Sequence, residues 1–373
     1  MRYSLRCARC GRDYDDDGRR LRCECGGMLD LQFEPSFHPG MEAGRPYDQW
    51  RYREALPVGD DVVTMGEGWT PLLSVAFDGR ALLIKQEQLF PTGSFKDRGA
   101  SVLMTHLREL GVKRVVEDSS GNAGCAVAAY ATHAGIACDI YVPEDTSPAK
   151  TAQIEVYGAT LHRIPGTRED TARAALEAAV TCIYASHVYS PWFLHGTKTF
   201  AYEVAEQLGW TAPDTLVLPA GNGTLLLGAY LGFTELARAG IVSHVPRIIA
   251  VQAAACAPLA GAFADGLDEP VEIHASHTAA EGIAIATPAR GSQVLAAVRA
   301  TDGSFVAVTE QDIVASLRDC CRGDWFIEPT SAAVIAGARR YARNAAPDET
   351  IVTAFTGHGL KAAVKIAEIL EEC

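Results

Sequence analysis

Leu89-Phe90-Pro91-Thr92-Gly93-Ser94-Phe95-Lys96-Asp97-Arg98 is the stretch around which the chain is organised. An apolar run at Ala81 to Ile84 reads as a strand, Pro91 and Gly93 break the chain, and the residues after Asp97 carry helical spacing. Lys96 therefore stands at a strand-to-helix turn, where a reactive amine is well placed. A helix N-terminus supplies positive potential that lowers the pKa of an ammonium, and a compact turn between Gly93 and Gly99 lets a flat ligand approach the backbone. On these residues alone Lys96 reads equally well as a surface lysine in a short charge cluster.

The surrounding chain supplies the fold. Strands are expected at Ala81 to Gln86, Arg114 to Glu117, Cys138 to Val142, Thr160 to Ile164, Thr215 to Pro219, Arg247 to Gln252 and Thr350 to Phe355. Between them lie alanine-rich helical segments such as Ala123 to His133, Thr171 to Ala179 and Ala332 to Ala342. This alternation predicts an α/β fold of two three-layer domains with mainly parallel sheets, and active-site loops at the carboxyl ends of the strands. Residues 34–62, rich in Pro, Gly, Trp and Tyr without periodicity, read as a linker wrapping a larger body.

Composition narrows the partners. Across 373 residues, 33 basic against 46 acidic side chains give a net charge of −13, which disfavours a broad face for nucleic acid or anionic membrane. The polar start and the lack of an apolar run near the ~20 residues of a membrane span predict a cytoplasmic protein acting on a small molecule. Eleven cysteines then argue for reduced thiols and metal ligation. Cys7-x2-Cys10 and Cys23-x-Cys25, with Gly11 and Gly26-Gly27 just past each pair, suit a zinc ribbon over residues 1–33. Four protein ligands leave no open position, so such a zinc is structural. The plain alternative is four buried or free cysteines.

Three strand ends carry chemistry. Asp118-Ser119-Ser120-Gly121-Asn122 opens a helix whose free amides, with two hydroxyls and an amide side chain, suit a carboxylate, while Asn122 can face a phenolic oxygen. A simple helix cap is the competing account. Gly221-Asn222-Gly223-Thr224-Leu225 opens another helix, with glycines that let amides converge on a phosphate. It lacks both dinucleotide and P-loop signatures, so a phosphate outside a nucleotide fits better. Phe355-Thr356-Gly357-His358-Gly359 closes the last strand, where Thr356 offers a hydroxyl to a heteroaromatic nitrogen and His358 reads as a capping or packing residue.

Ser94-Phe95-Lys96-Asp97-Arg98-Gly99, Ser119-Ser120-Gly121-Asn122-Ala123, Gly196-Thr197-Lys198-Thr199, Gly221-Asn222-Gly223, Glu281-Gly282-Ile283-Ala284, Glu328-Pro329-Thr330-Ser331-Ala332 and Thr356-Gly357-His358-Gly359-Leu360-Lys361 occur in that order. From about Gly66 to the C-terminus the chain resembles the threonine synthase family, fold type II pyridoxal phosphate enzymes related to tryptophan synthase β, and many members begin with a zinc-ribbon-like segment. The resemblance implies that Lys96 forms the Schiff base with pyridoxal 5'-phosphate and serves as base for the substrate α-proton. It implies that Asn122 bonds the ring oxygen, that Gly221, Asn222, Gly223, Thr224 and Leu225 hold the phosphate, that Thr356 meets the pyridine nitrogen, and that Phe95 belongs to the cofactor-binding set. Ser119, Ser120 and Gly121 are implied in substrate binding. It further implies a homodimer, with residues 34–99 and 190–373 as a large cofactor-binding domain and residues 100–189 as a smaller mobile one.

The chain also departs from the family. Where Asn-Pro-x-Arg usually precedes Gly-Gln-Lys-Thr, it has Ser190-Pro191-Trp192-Phe193, and Thr197 replaces Gln. An aromatic ring stands where a guanidinium would pair with a phosphorylated substrate, which puts O-phosphohomoserine in doubt. Lys198 keeps a positive charge nearby for an anionic substrate or nucleophile. The expectation is a threonine synthase-like enzyme that replaces or eliminates an anionic leaving group. Replacement on O-phosphoserine, as in cysteate synthase, and a deaminating lyase are the alternatives. A non-catalytic regulatory protein, its ribbon contacting a partner, is the reading from another class; the acidic total and the intact Lys96, Asn122 and Thr356 weigh against it.

Overall fold

The computed structural model describes residues 3–371 and divides into two compact units. The first comprises residues 1–68 and 96–197, the second residues 69–95 and 198–373. The strands, in chain order, are β1 Ser4–Cys7, β2 Asp13–Asp15, β3 Leu29–Gln32, β4 Leu72–Phe77, β5 Arg80–Lys85, β6 Arg114–Glu117, β7 Ala137–Pro143, β8 Thr160–Ile164, β9 Ile183–Tyr184, β10 Thr215–Pro219, β11 Arg247–Ala253, β12 Ser304–Val308 and β13 Ile351–Ala354.

In the first unit, β2, β1 and β3 form an antiparallel sheet that carries the cysteine pairs, and a parallel sheet runs β8-β7-β6-β9. The helices Lys96–Glu109 and Pro191–Thr197 pack closely because two glycines allow it. A Cβ on Gly99 would lie 2.3 Å from the Phe193 ring, and one on Gly196 would lie 2.1 Å from the Arg98 carbonyl oxygen. Residues 49–68 join this unit through Glu67, which is 1% exposed. Its carboxylate accepts from Gln49 Nε2 at 3.0 Å, Trp50 Nε1 at 2.9 Å, Ser101 Oγ at 2.5 Å and Tyr130 Oη at 2.8 Å. A buried carboxylate holds the donors that satisfy it, so Glu67 fastens Gln49 and Trp50, from the 34–62 stretch read from sequence as a wrapping linker, to the helices bearing Ser101 and Tyr130. The unit boundaries thus fall at 68/69, 95/96 and 197/198, where the sequence reading placed divisions at 33/34, 99/100 and 189/190.

In the second unit six strands run β12-β11-β10-β13-β5-β4, all parallel except the β4–β5 hairpin. Its central strands β10 and β13 are buried throughout, as expected of a parallel sheet covered on both faces. Among the described residues no helix is long and apolar enough to cross a membrane.

Candidate active site

Lys96 is the first residue of the helix Lys96–Glu109, as the break at Pro91 and Gly93 predicts. Its Nζ lies 5.6 Å from the ring centroid of Phe193, which is fully buried. The aromatic residue that departs from the family pattern therefore faces the lysine on which that pattern centres.

The turn after β6 leads into the helix Asn122–His133, whose N-cap is Gly121 with no side-chain cap. Gly121 N donates to Ser119 Oγ at 3.3 Å, and a Cβ on Gly124 would fall 1.8 Å from the Ser119 carbonyl oxygen, so only glycine lets the turn fold back this tightly. Ser119, Ser120 and Asn122 are half-buried. The Asn122–His133 helix carries no acid in its first turn, so its opening amides suit an anionic group.

Two carboxylates immediately precede that turn. Asp118 is neutralised by Arg168 at 2.7 Å and accepts from Tyr184 Oη at 2.6 Å. Glu117, fully buried, meets His187 Nδ1 at 2.7 Å, and among the described residues its Oε2 has no hydrogen-bond partner. Burial, followed by the adjacent Asp118, holds the Glu117 carboxyl well above the usual carboxylate range. Burial, followed by the charges of Lys96 and Arg168, holds His187 well below the usual imidazole value. Both groups are thereby driven towards their neutral forms. The sequence reading missed this pair, because 70 residues separate its members.

In the second unit β10 ends at Pro219 and the helix Thr224–Arg238 begins after Gly223, which has φ +79° and provides no side-chain cap. A Cβ on Gly221 would lie 2.9 Å from the Gly282 carbonyl oxygen, and one on Gly223 would lie 2.3 Å from Val294. Glycine at both positions lets the turn pack against these neighbours, and the helix it opens has no side-chain cap.

Thr356, fully buried at the end of β13, donates from Oγ1 to Glu328 Oε1 at 2.7 Å and lies 3.0 Å from Ser331 Oγ. Phe95 N donates to the Thr356 carbonyl at 3.1 Å, which ties the residue before Lys96 to this strand end. His358 Nδ1 accepts from Leu360 N at 3.1 Å, the capping role expected for it.

Lys198 is fully buried with Nζ 2.8 Å from Glu235 Oε1, while Glu235 Oε2 accepts from Tyr202 at 2.9 Å. Its charge is met by Glu235 inside the second unit.

The four ribbon sulfurs lie within 4.8 Å of one another, with Cys7–Cys25 and Cys10–Cys23 both at 3.5 Å. Zn–S bonds of about 2.3 Å in a tetrahedron give sulfur edges of about 3.8 Å, so this donor set has the size and chemistry of a closed zinc shell. A Cβ on Gly27 would lie 2.7 Å from Cys7 Sγ, which explains the glycine behind the knuckle. The Tyr14 hydroxyl, 3.1 Å from Cys23 Sγ, helps bring that thiol down to about 6, towards the thiolate a metal needs.

Residues 63–357 match the family described as pyridoxal-phosphate dependent enzyme. The chain is 34% identical over 383 residues to a threonine synthase of Methanocaldococcus jannaschii, covering 97% of this chain and 95% of that one. It is 37% identical over 324 residues to a threonine synthase of Mycobacterium tuberculosis, covering 83% and 87%. Among solved structures, a threonine deaminase isoform of Solanum lycopersicum superposes with a TM-score of 0.71 at 23% identity, covering 93% of both chains, a likeness of fold.

Proposed function

The chain belongs to the pyridoxal-phosphate dependent enzymes and is threonine synthase-like, and from this premise we propose that Lys96 Nζ holds the cofactor covalently and, once released, takes the α-proton of an amino-acid substrate. The observation that carries the reading is Lys96 as the opening residue of its helix, where the positive potential of the helix end disfavours an ammonium. Bound pyridoxal phosphate supplies an electron sink for the substrate α-carbon.

The residues fit that group. The Gly221 to Leu225 turn opens a helix whose first amides have no side-chain cap, as a phosphate cradle requires. Thr356 offers a buried hydroxyl for the ring nitrogen; because that hydroxyl already donates to Glu328, its oxygen is left to accept. Asn122 serves the ring oxygen, Phe95 sets the backbone before Lys96, and Ser119, Ser120 and Gly121 take the substrate carboxylate. Lys198, neutralised by Glu235, serves the scaffold. Cys7, Cys10, Cys23 and Cys25 hold a structural zinc.

The reaction is replacement or elimination of an oxygen-linked group from the substrate. Phe193 favours a substrate other than O-phosphohomoserine, because a buried ring gives a phosphate no bidentate partner. Elimination without replacement, as in a deaminating lyase, is a second reading that the same ring supports.

Reconstitution with pyridoxal phosphate tests the assignment. The wild-type chain should gain the visible absorption of lysine-bound cofactor, and Lys96→Ala should lose both it and all turnover. An unchanged band and rate in Lys96→Ala would overturn the assignment. Metal analysis should find zinc in the wild type and not in Cys10→Ser.

A further inference from the structure

The Glu117–His187 pair has no place in the chemistry assigned so far. It is nevertheless costly to keep: Glu117 is fully buried and one of its oxygens lacks a hydrogen-bond partner among the described residues. Neighbouring Asp118 is fully answered by Arg168 and Tyr184, so the shortage is particular to Glu117. His187 turns Nδ1 to the carboxyl at 2.7 Å, which leaves Nε2 as its outward nitrogen, and the side chain retains 13% exposure. Its ring lies edge-on to Phe193 at 6.0 Å, and Lys96 Nζ lies 5.6 Å from the same ring. Phe193 is thus flanked by the reactive lysine and by an imidazole held by a buried carboxyl. A carboxyl on one ring nitrogen fixes tautomer and orientation for proton transfer at the other.

We propose that His187 is the acid that protonates the departing oxygen of the substrate, with Glu117 positioning its ring and replacing its proton. The inference rests on Lys96 as the α-proton base. Lys96, as the free amine, takes the Cα proton. For a leaving group on Cβ, the released electron pair becomes the Cα–Cβ double bond. The C–O bond breaks with its pair on oxygen, the Nε2–H bond breaks, and an O–H bond forms. The Glu117 proton crosses to Nδ1, so the imidazole ends neutral and the carboxylate takes the negative charge.

Lys96 and Glu117 therefore finish with opposite charges, each favouring the other. Arg168 adds to the stabilisation of the new carboxylate, whereas Asp118 opposes it. This arrangement suits a basic, poorly departing oxygen such as a hydroxyl, which needs a proton. A phosphate dianion would call for the missing guanidinium.

Leaving-group dependence tests the proposal in the holoenzyme, with pyruvate formation from L-serine and from β-chloro-L-alanine as the readout. Chloride needs no proton, so His187→Gln should lose about 100-fold on L-serine and less than about 3-fold on β-chloro-L-alanine. Glu117→Gln should show the same selectivity with a smaller loss. Activity of the variants on β-chloro-L-alanine also reports that they are folded. Equal losses on both probes, or wild-type turnover of β-chloro-L-alanine but not L-serine, would overturn the role of His187 and leave Lys96 standing. No pyruvate from either probe overturns the inference, and the absorption of lysine-bound cofactor then decides separately whether Lys96 stands. Independently of turnover, 15N-histidine NMR should show a His187 proton shared with Glu117 that disappears in Glu117→Gln, and its absence in the wild type counts against the relay.

Discussion

The lysine–glutamate pairs of the second unit and the Glu117–His187 pair of the first hold buried charge differently. In the second, Lys85 donates to Glu203 at 2.6 Å, to Gln207 at 2.8 Å and to the Thr70 carbonyl, and Lys198 meets Glu235, which also takes the Tyr202 hydroxyl. In the first, Glu117 has His187 and an oxygen left over. A saturated buried pair is scaffolding, since neither partner can change protonation without abandoning the other. An under-satisfied pair retains the freedom to pass a proton on, and it sits on the unit that holds Lys96. The contrast supports the proposed scaffold role of Lys198, which the sequence reading gave to a substrate anion.

The largest effect should come from breaking a saturated pair. Lys198→Ala strands Glu235 without its cation and should cost about 3–5 kcal/mol in urea unfolding. Lys198→Met with Glu235→Gln should recover most of that, because the glutamine still serves Tyr202. If Lys198→Ala instead unfolded like the wild type and weakened substrate affinity alone, the scaffold role would be lost.

A smaller loss is expected beside the unsaturated pair. Gly99→Ala gains up to about 1 kcal/mol in helix propensity. Its Cβ, however, would arrive 2.3 Å from the Phe193 ring, and overpacking of that kind costs about 1–3 kcal/mol. The net should be destabilising, and Phe193→Leu should relieve it. A Gly99→Ala protein at least as stable as wild type would mean that the ring moves freely, and the arrangement around Lys96 would lose its rigidity.

These residues also mark where the sequence was legible. Strands Arg114–Glu117, Thr160–Ile164 and Thr215–Pro219 fall where apolar runs between turn residues place them. The helix starts at Lys96, Asn122 and Thr224 follow from the glycines and proline that precede them. These are local signals, carried within about a dozen residues. The partners of Glu67, Lys198 and Glu117 are not, since each lies at least 34 residues from a principal contact and strand order alone brings them together. His187 was further hidden because it follows β9, a strand of two residues with no pattern to read. The carboxylate ending β6 was the available signal, as a charged residue closing an otherwise apolar strand of a covered sheet asks for a partner.

The smallest effect is the most specific to Glu117. Its proton is held above the ordinary glutamate value of about 4.3, so above that pH the folded chain keeps a proton that the unfolded chain releases, and stability falls as pH rises towards the folded value. His187 works in the opposite sense. Below about 6.5 the unfolded chain takes up a proton that the folded chain refuses, so stability falls as pH drops. Glu117→Gln abolishes the first slope and leaves the second. Its urea midpoint should therefore exceed that of the wild type at about pH 8 and approach it at about pH 4, a gain in stability won by removing a group retained for chemistry. Midpoints that differ by the same amount at both pH values would show that Glu117 is ionised in the folded chain. In that state it has no proton to return to His187, and the distinction between the two units would reduce to packing.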